Sequence, residues 1–195
     1  RLTGALDSED TRVMIAALRA MGIDVRAEPT PETLRVQGSG GAIRVPQPLD
    51  LYIANSGTSI RFLTAMVATA QGEFRLDGTP RMRERPIGDL LHGLRQLGAD
   101  VSCAANEGFP PVIVRAAGLP GGKAVIRGDV SSQFLSGLLM AAPNAQAPVT
   151  IEIEGELVSQ PYVDMTLAVM RSFGVGVEVT LEPRRQYRIA PATYQ

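Results

Sequence analysis

The feature that most limits how this chain can fold is that it repeats itself. Three segments, Arg1 to Ala27, Phe74 to Ala104 and Ile151 to Thr180, follow one plan. Each is a short alternating strand, a loop, an amphipathic helix closed by glycine, and a second strand. The closing glycines Gly22, Gly98 and Gly174 are evenly spaced, each after an apolar residue (Met21, Leu97, Phe173) and before alternating apolar positions such as Ile23 and Val25. That is the pattern of a left-handed helix C-cap feeding a strand. A repeat constrains the fold more than composition does, because each unit must bury its apolar face against its neighbours.

The helix faces follow the same plan. Val13, Ala17, Leu18 and Met21 form the first stripe, Ile87, Leu90, Leu91, Leu94 and Leu97 the second, and Val163, Leu167, Met170 and Phe173 the third. Between these units lie two helices of another kind, Thr58 to Ala70 and Ser131 to Ala142. Their polar residues crowd the first turn and most later positions are apolar, so they are expected to be buried on most sides. The pattern predicts a compact α/β domain of repeated units over residues 1–195, with strands surrounding buried helices whose N-termini open at one end. The strands near Phe74 and Val149 each follow a buried-type helix, whereas the equivalent strand at Arg1 to Leu6 follows nothing. A strand-loop-helix piece is therefore expected upstream, completing a threefold arrangement; an imperfect terminal repeat is the alternative.

Composition removes several classes of function. Lys and Arg total 19 against 20 Asp and Glu, so there is no overall field to attract nucleic acid or acidic lipid, and any anion binding must be local. No run of apolar residues is long enough to span a bilayer, and no leader peptide is evident, so a cytoplasmic protein is expected. Cys103 and His92 are each the only residue of their type, which predicts no disulfide, no metal site and no cofactor.

Four loops hold the candidates for chemistry. Asn55-Ser56-Gly57-Thr58-Ser59 sits where a strand (Leu49 to Ala54) turns into a buried helix, with Arg61 in its first turn. Free amides, the helix dipole, glycine and hydroxyls there suit an anion, although Asn, Ser and Thr also cap helices for purely structural reasons. Gly128-Asp129-Val130-Ser131-Ser132-Gln133 repeats that design in the next unit, with capping again as the plain alternative. Arg81-Met82-Arg83-Glu84-Arg85-Pro86-Ile87 places three arginines ahead of a helix whose first residue is expected at Pro86. Guanidinium forks bind carboxylate or phosphate, while a solvated basic loop partly neutralised by Glu84 is the bland reading. The matching loop of the last unit, Glu156 to Tyr162, carries Ser159, Pro161 and Tyr162. His92 and Cys103 read as structural, and Asp7, Ser8, Glu9 and Asp10 as a helix cap with its dipole complement.

Taken in order, Asn55-Ser56-Gly57-Thr58, Pro80 to Gly88, Val130 to Leu135, and Ser159-Gln160-Pro161-Tyr162-Val163-Asp164 resemble successive motifs of the 5-enolpyruvylshikimate-3-phosphate synthase family. The similarity runs from the first residues to about Tyr194. It implies transfer of the enolpyruvyl group of phosphoenolpyruvate to the 5-hydroxyl of shikimate 3-phosphate, in the route to aromatic amino acids. It also implies an inside-out α/β fold (enolpyruvyl transferase-like) of βαβαββ units with buried helices, in two domains with the site between them. Carried over by motif, Ser131, Ser132, Gln133, Ser159 and Tyr162 bind shikimate 3-phosphate. Gly57, Arg85 and Gln133 bind phosphoenolpyruvate, and Asn55 and Arg81 support them.

The resemblance further implies that the catalytic base, a Lys-Ser loop and other cationic contacts lie outside this chain. No catalytic residue is expected within it, and it is expected to be inactive alone. Ala54, Ser56 and Phe62 depart from the family pattern of glycine, alanine and proline, and the last two are expected to alter affinity for phosphoenolpyruvate and glyphosate. A related transferase acting on UDP-N-acetylglucosamine is disfavoured because it carries a reactive cysteine in the loop aligned with Arg81 to Arg85. A non-catalytic module binding RNA ends or nucleotides is disfavoured by near-zero net charge and only 5% aromatic residues, and a purely structural repeat domain leaves the arginine loop unexplained.

Overall fold

The computed structural model describes residues 1–41 and 43–195. The first unit contains β1 (Leu2–Thr3), α1 (Glu9–Ala20), β2 (Asp24–Ala27) and β3 (Thr33–Gln37). The second contains β4 (Leu49–Tyr52), α2 (Gly57–Val67), β5 (Gln71–Asp77), α3 (Gly88–Gln96), β6 (Asp100–Cys103) and β7 (Val112–Ala117). The third contains β8 (Gly122–Arg127), α4 (Ser132–Ala141), β9 (Val149–Glu154), α5 (Gln160–Ser172), β10 (Glu178–Thr180) and β11 (Gln186–Ile189).

Each unit makes its own sheet, and the sheets share one topology. The second has strand order β4-β5-β7-β6 and the third β8-β9-β11-β10. In both, the first two strands are parallel and the rest antiparallel, with Leu49 opposite Phe74 and Gly122 opposite Val149. Parallel neighbours need a crossover, and α2 and α4 are those crossovers. The first sheet, β1-β3-β2, has the same order with one strand fewer. The repeat read from the glycines is thus a βαβαββ unit. Gly22, Gly98 and Gly174 adopt φ of 86°, 89° and 81°, the left-handed conformation expected of helix-ending glycines.

Two helices form the centre. Arg61 is the only charged residue of α2 and α4 has none, so neither has a face suited to water. Ile60, Leu63, Ala65 and Val67 of α2 are buried, as are Phe134, Leu135, Leu138 and Leu139 of α4. They approach closely at Gly137, where an added Cβ would lie 3.4 Å from the Arg61 carbonyl oxygen and 3.5 Å from Ala65 Cβ. Because Thr58 meets Gln133 while Ala65 meets Gly137, the helices run parallel and start at the same end.

The outer helices cover neighbouring units, α1 lying against β4 and α3 against β8. The α3 stripe is fully enclosed, whereas Val13 and Leu18 of α1 are half-buried and Phe173 after α5 is exposed, less covered than its periodicity predicts. The start of α3 also differs from expectation. It begins at Gly88 because the Ile87 side chain is buried and its N–H donates to the Gly108 carbonyl (2.9 Å), which keeps Pro86 outside the helix. Among the described residues, no helix is long and apolar enough to cross a membrane.

The central pair should dominate stability. Leu63→Ala, which empties a fully enclosed site, is expected to cost about 2–5 kcal/mol. Val13→Ala on half-buried α1 should cost about 1 kcal/mol or less. Urea denaturation of the two variants, compared at equal slope, checks the ranking.

Candidate functional site

The ends of β4, β5, β8 and β9 all lead into helix starts, and two of these junctions have strained backbone. Ala54 (φ 48°) precedes the Asn55-Gly57 turn, and Ser159 (φ 55°) precedes α5. A left-handed conformation costs a non-glycine residue about 1–2 kcal/mol, which accounts for the family's preference for glycine where Ala54 stands. At Ser159 the strain leaves the hydroxyl uncommitted, since it makes no capping hydrogen bond.

The start of α2 is capped from within. Ser56 accepts from the Ser59 amide (3.2 Å) and donates to the Ser59 hydroxyl (2.7 Å), which in turn donates to the Asp10 carbonyl (3.3 Å). Buried Ser56 therefore serves the cap and the junction with α1 rather than a ligand. The amides of Gly57 and Thr58 remain at the helix start, where the dipole is most positive. Phe62 packs toward α4, its ring edge 3.7 Å from where a Gly137 Cβ would stand.

The three arginines divide their work. Arg81 is exposed and pairs with Glu84 (2.7 Å). Arg83 makes a two-point contact with Asp77 (2.9 and 2.7 Å), which also accepts from the Gly78 amide (2.8 Å). That leaves Arg85, whose Nη1 donates to the Asn55 carbonyl (3.1 Å) and whose guanidinium lies over Gly57. An added Gly57 Cβ would stand 2.5 Å from Arg85 Cζ, so only glycine permits the approach. One arginine of the three is aimed at a helix start; the others hold its loop.

Asp77 was not singled out by sequence reasoning, and it is what shapes that loop. Burial by itself pushes its carboxyl up, but hydrogen bonds from Arg83 and the Gly78 amide, with the charges of Arg83 and Arg75, hold it below the usual carboxylate range.

The head of α4 lies beside that of α2. Ser131 caps it by accepting from the Gln133 amide (3.3 Å), and Ser132 is its first residue. Gln133 donates through Nε2 to Thr58 (3.1 Å) and accepts at Oε1 from Arg61. The Tyr162 phenol is close enough to act on the Arg61 charge. The 156–159 loop is tied to the α4 loop by the Val158 amide donating to the Gly128 carbonyl (3.1 Å). Asn55, Gly57 and Arg85 thus meet at the head of α2, Gln133 joins Thr58 and Arg61 between the heads of α2 and α4, Ser131 and Ser132 stand at the start of α4, and Ser159 and Tyr162 at the start of α5. Arg81 stays on the outer side of its turn. No group of metal-binding side chains occurs among the described residues.

The family profile described as EPSP synthase (3-phosphoshikimate 1-carboxyvinyltransferase) matches residues 1–193. The chain belongs to the EPSP synthase family. It is 51% identical over 176 residues to the 3-phosphoshikimate 1-carboxyvinyltransferase of Shewanella piezotolerans, covering 90% of this chain and 41% of that protein. It is 48% identical over 192 residues to the enzyme of that name from Shewanella denitrificans, covering 95% and 45%. A solved EPSP synthase from Acinetobacter baumannii superposes with a TM-score of 0.79 at 26% identity, over 95% of this chain and 40% of that one. The fold is the enolpyruvyl transferase-like α/β fold of EPSP synthases, and the chain spans less than half the length of the relatives it matches.

Asp77 carries the prediction for this site. Its folded pKa lies below the unfolded value of about 4, so its contribution is present above that value and lost as pH falls through the folded one. Asp77→Asn should cost about 1–3 kcal/mol at neutral pH. It should also flatten the acid limb of the stability curve down to about pH 3, read by thermal melts across that range.

Proposed function

We propose that this chain provides the shikimate 3-phosphate side of an enolpyruvyl transferase. In this reading the enolpyruvyl group of phosphoenolpyruvate passes to the 5-hydroxyl of shikimate 3-phosphate and phosphate leaves. The observation that carries the reading is the Arg85 guanidinium lying over Gly57, beside a second helix start furnished with Ser131, Ser132 and Gln133. Both proposed ligands are multiply anionic, and these groups are donors whose positive potential comes from helix ends and guanidinium rather than from exposed lysines.

In this assignment the α4 amides with the Ser131, Ser132 and Ser159 hydroxyls take the phosphate and nearby oxygens of shikimate 3-phosphate, against the Tyr162 ring. Gly57 and Arg85 take phosphoenolpyruvate, and Gln133 lies between the ligands. Asn55 holds Arg85 through its carbonyl, and Arg81 supports the loop through Glu84. What these groups do is bind and orient. The acidic base and further cationic contacts are assigned to the part of the relatives that this chain does not span, so the chain alone is expected to be inactive.

The same proposal gives a use to the uncovered face of α5. Since α1 covers β4 and α3 covers β8, the corresponding task of α5 is to cover a strand parallel to β1. Met165, Val169 and Phe173 are exposed where that strand and its following helix would dock. Residues 1–195 are then one substrate-binding domain, completed by that piece and facing a second domain.

Calorimetric titration with shikimate 3-phosphate tests the assignment, with UDP-N-acetylglucosamine as control. Saturable binding of the first ligand alone is expected, weakened about tenfold or more by Ser132→Ala through loss of a charge-assisted hydrogen bond. Preferential binding of the control would overturn the substrate. Gly57→Ala gives an independent check, because its methyl displaces only the flexible end of Arg85. It should leave thermal stability nearly unchanged and weaken phosphoenolpyruvate binding in the presence of shikimate 3-phosphate.

A further inference from the structure

Arg61 is an expensive residue for its position. It is the one charge on α2, it is half-buried, and its Nε is enclosed without an acceptor among the described residues. Burial, and after it the nearby Arg85 charge, push its pKa down from the ordinary arginine value. An apolar side chain of similar volume would avoid that cost. The guanidinium nevertheless lies over the Phe134 ring, with Cζ 5.1 Å from its centroid, and donates through Nη1 to Gln133 Oε1.

The consequence falls on Gln133. A guanidinium only donates, so the amide atom facing it must be the oxygen. The amide nitrogen then points the other way, giving one hydrogen to Thr58 Oγ1 (3.1 Å) and keeping one for whatever enters. Without Arg61 the amide could turn over and offer its oxygen, an acceptor, to the same space. One Nη1 hydrogen of Arg61 goes to Gln133 and Nε is enclosed, while the remaining Nη hydrogens have no acceptor among the described residues, so a binding cycle is needed to separate positioning from direct contact with a ligand.

We propose that Arg61 is a positioning residue that locks the Gln133 carboxamide with its oxygen inward, so that the head of α4 presents an N–H and selects ligands carrying an acceptor oxygen there. Lysine is not expected to substitute, because an ammonium group rotates freely and does not offer Gln133 a planar donor of fixed direction. The inference rests on the proposed function for the identity of the ligand, but not for the orientation of the amide.

Two measurements on the chain separate those dependences. In the ligand-free protein, the Gln133 side-chain amide protons are followed by nitrogen-15 NMR. The hydrogen given to Thr58 should exchange more slowly than its geminal partner in the unsubstituted chain, and that difference should collapse in both Arg61→Ala and Arg61→Lys, with the remainder of the spectrum folded. Unchanged exchange in Arg61→Ala would overturn the proposal whether or not any ligand binds. The second measurement is a binding cycle with shikimate 3-phosphate over Arg61→Ala, Gln133→Ala and the double variant. Positioning predicts that the double variant binds no more weakly than Gln133→Ala, whereas losses that multiply would show that Arg61 acts on the ligand directly. Gln133→Glu keeps the shape, pairs with Arg61 and removes the donor. It should melt no lower than the unsubstituted chain and lose at least tenfold in affinity, and retained affinity would overturn the inference. If the unsubstituted chain binds no shikimate 3-phosphate, the functional reading fails while the exchange experiment still decides the role of Arg61.

Discussion

The parallel contact between α2 and α4 is the constraint on which the rest depends. Two half-charges of like sign at neighbouring helix starts repel by only about 0.5 kcal/mol at an effective dielectric of 20 and a separation near 9 Å. Burial of each large apolar side chain along the seam is worth about 1.5–3 kcal/mol, so packing decides the arrangement and the dipoles follow. Positive potential is therefore concentrated at one end without any lysine. Arg61 and Arg85 add to it, and among the described residues no carboxylate is paired with either of them. The fold gathers this positive potential as a by-product of how it closes its core.

The supporting shell shows how such a concentration of positive charge is kept in order. Asp77 occupies Arg83, Glu84 occupies Arg81, and the Asn55 carbonyl steers Arg85. Charge is neutralised away from the helix starts and left uncompensated beside them. The inward-turned Ser56 hydroxyl does comparable work, spending its hydrogen bonds on the cap and the α1 junction so that Gly57 and Thr58 keep their amides.

Much of the architecture was legible because repetition is a periodic signal. The glycine caps, the two apolar helices and the opening of their N-termini at one end all come from patterns that recur along the chain. The loops containing Ser131, Ser132, Gln133, Gly57 and Arg85 were legible as helix starts, and the family motifs assigned them ligands. What was not legible depends on pairings across distant loops. Nothing in the spacing of Asp77 and Arg83 distinguishes a bidentate pair from two solvated charges. The start of α3 at Gly88 depends on Gly108, twenty residues on, receiving the Ile87 amide. Arg61 read simply as part of an anion-binding turn, since only the meeting of α2 with α4 shows that its partner is an amide.

The contact of Gln133 with Thr58 and Arg61 joins two units of the repeat through two hydrogen bonds at the rim of a largely apolar seam. Each unit carries its own sheet, and neighbours meet through helices that pack on one another or on the next unit's strands. A ligand seated across Gly57, Gln133 and Ser159 would therefore act as mortar between bricks. It ties together units that the backbone links only in series, and it would make the cohesion of the domain depend on how much of it is loaded.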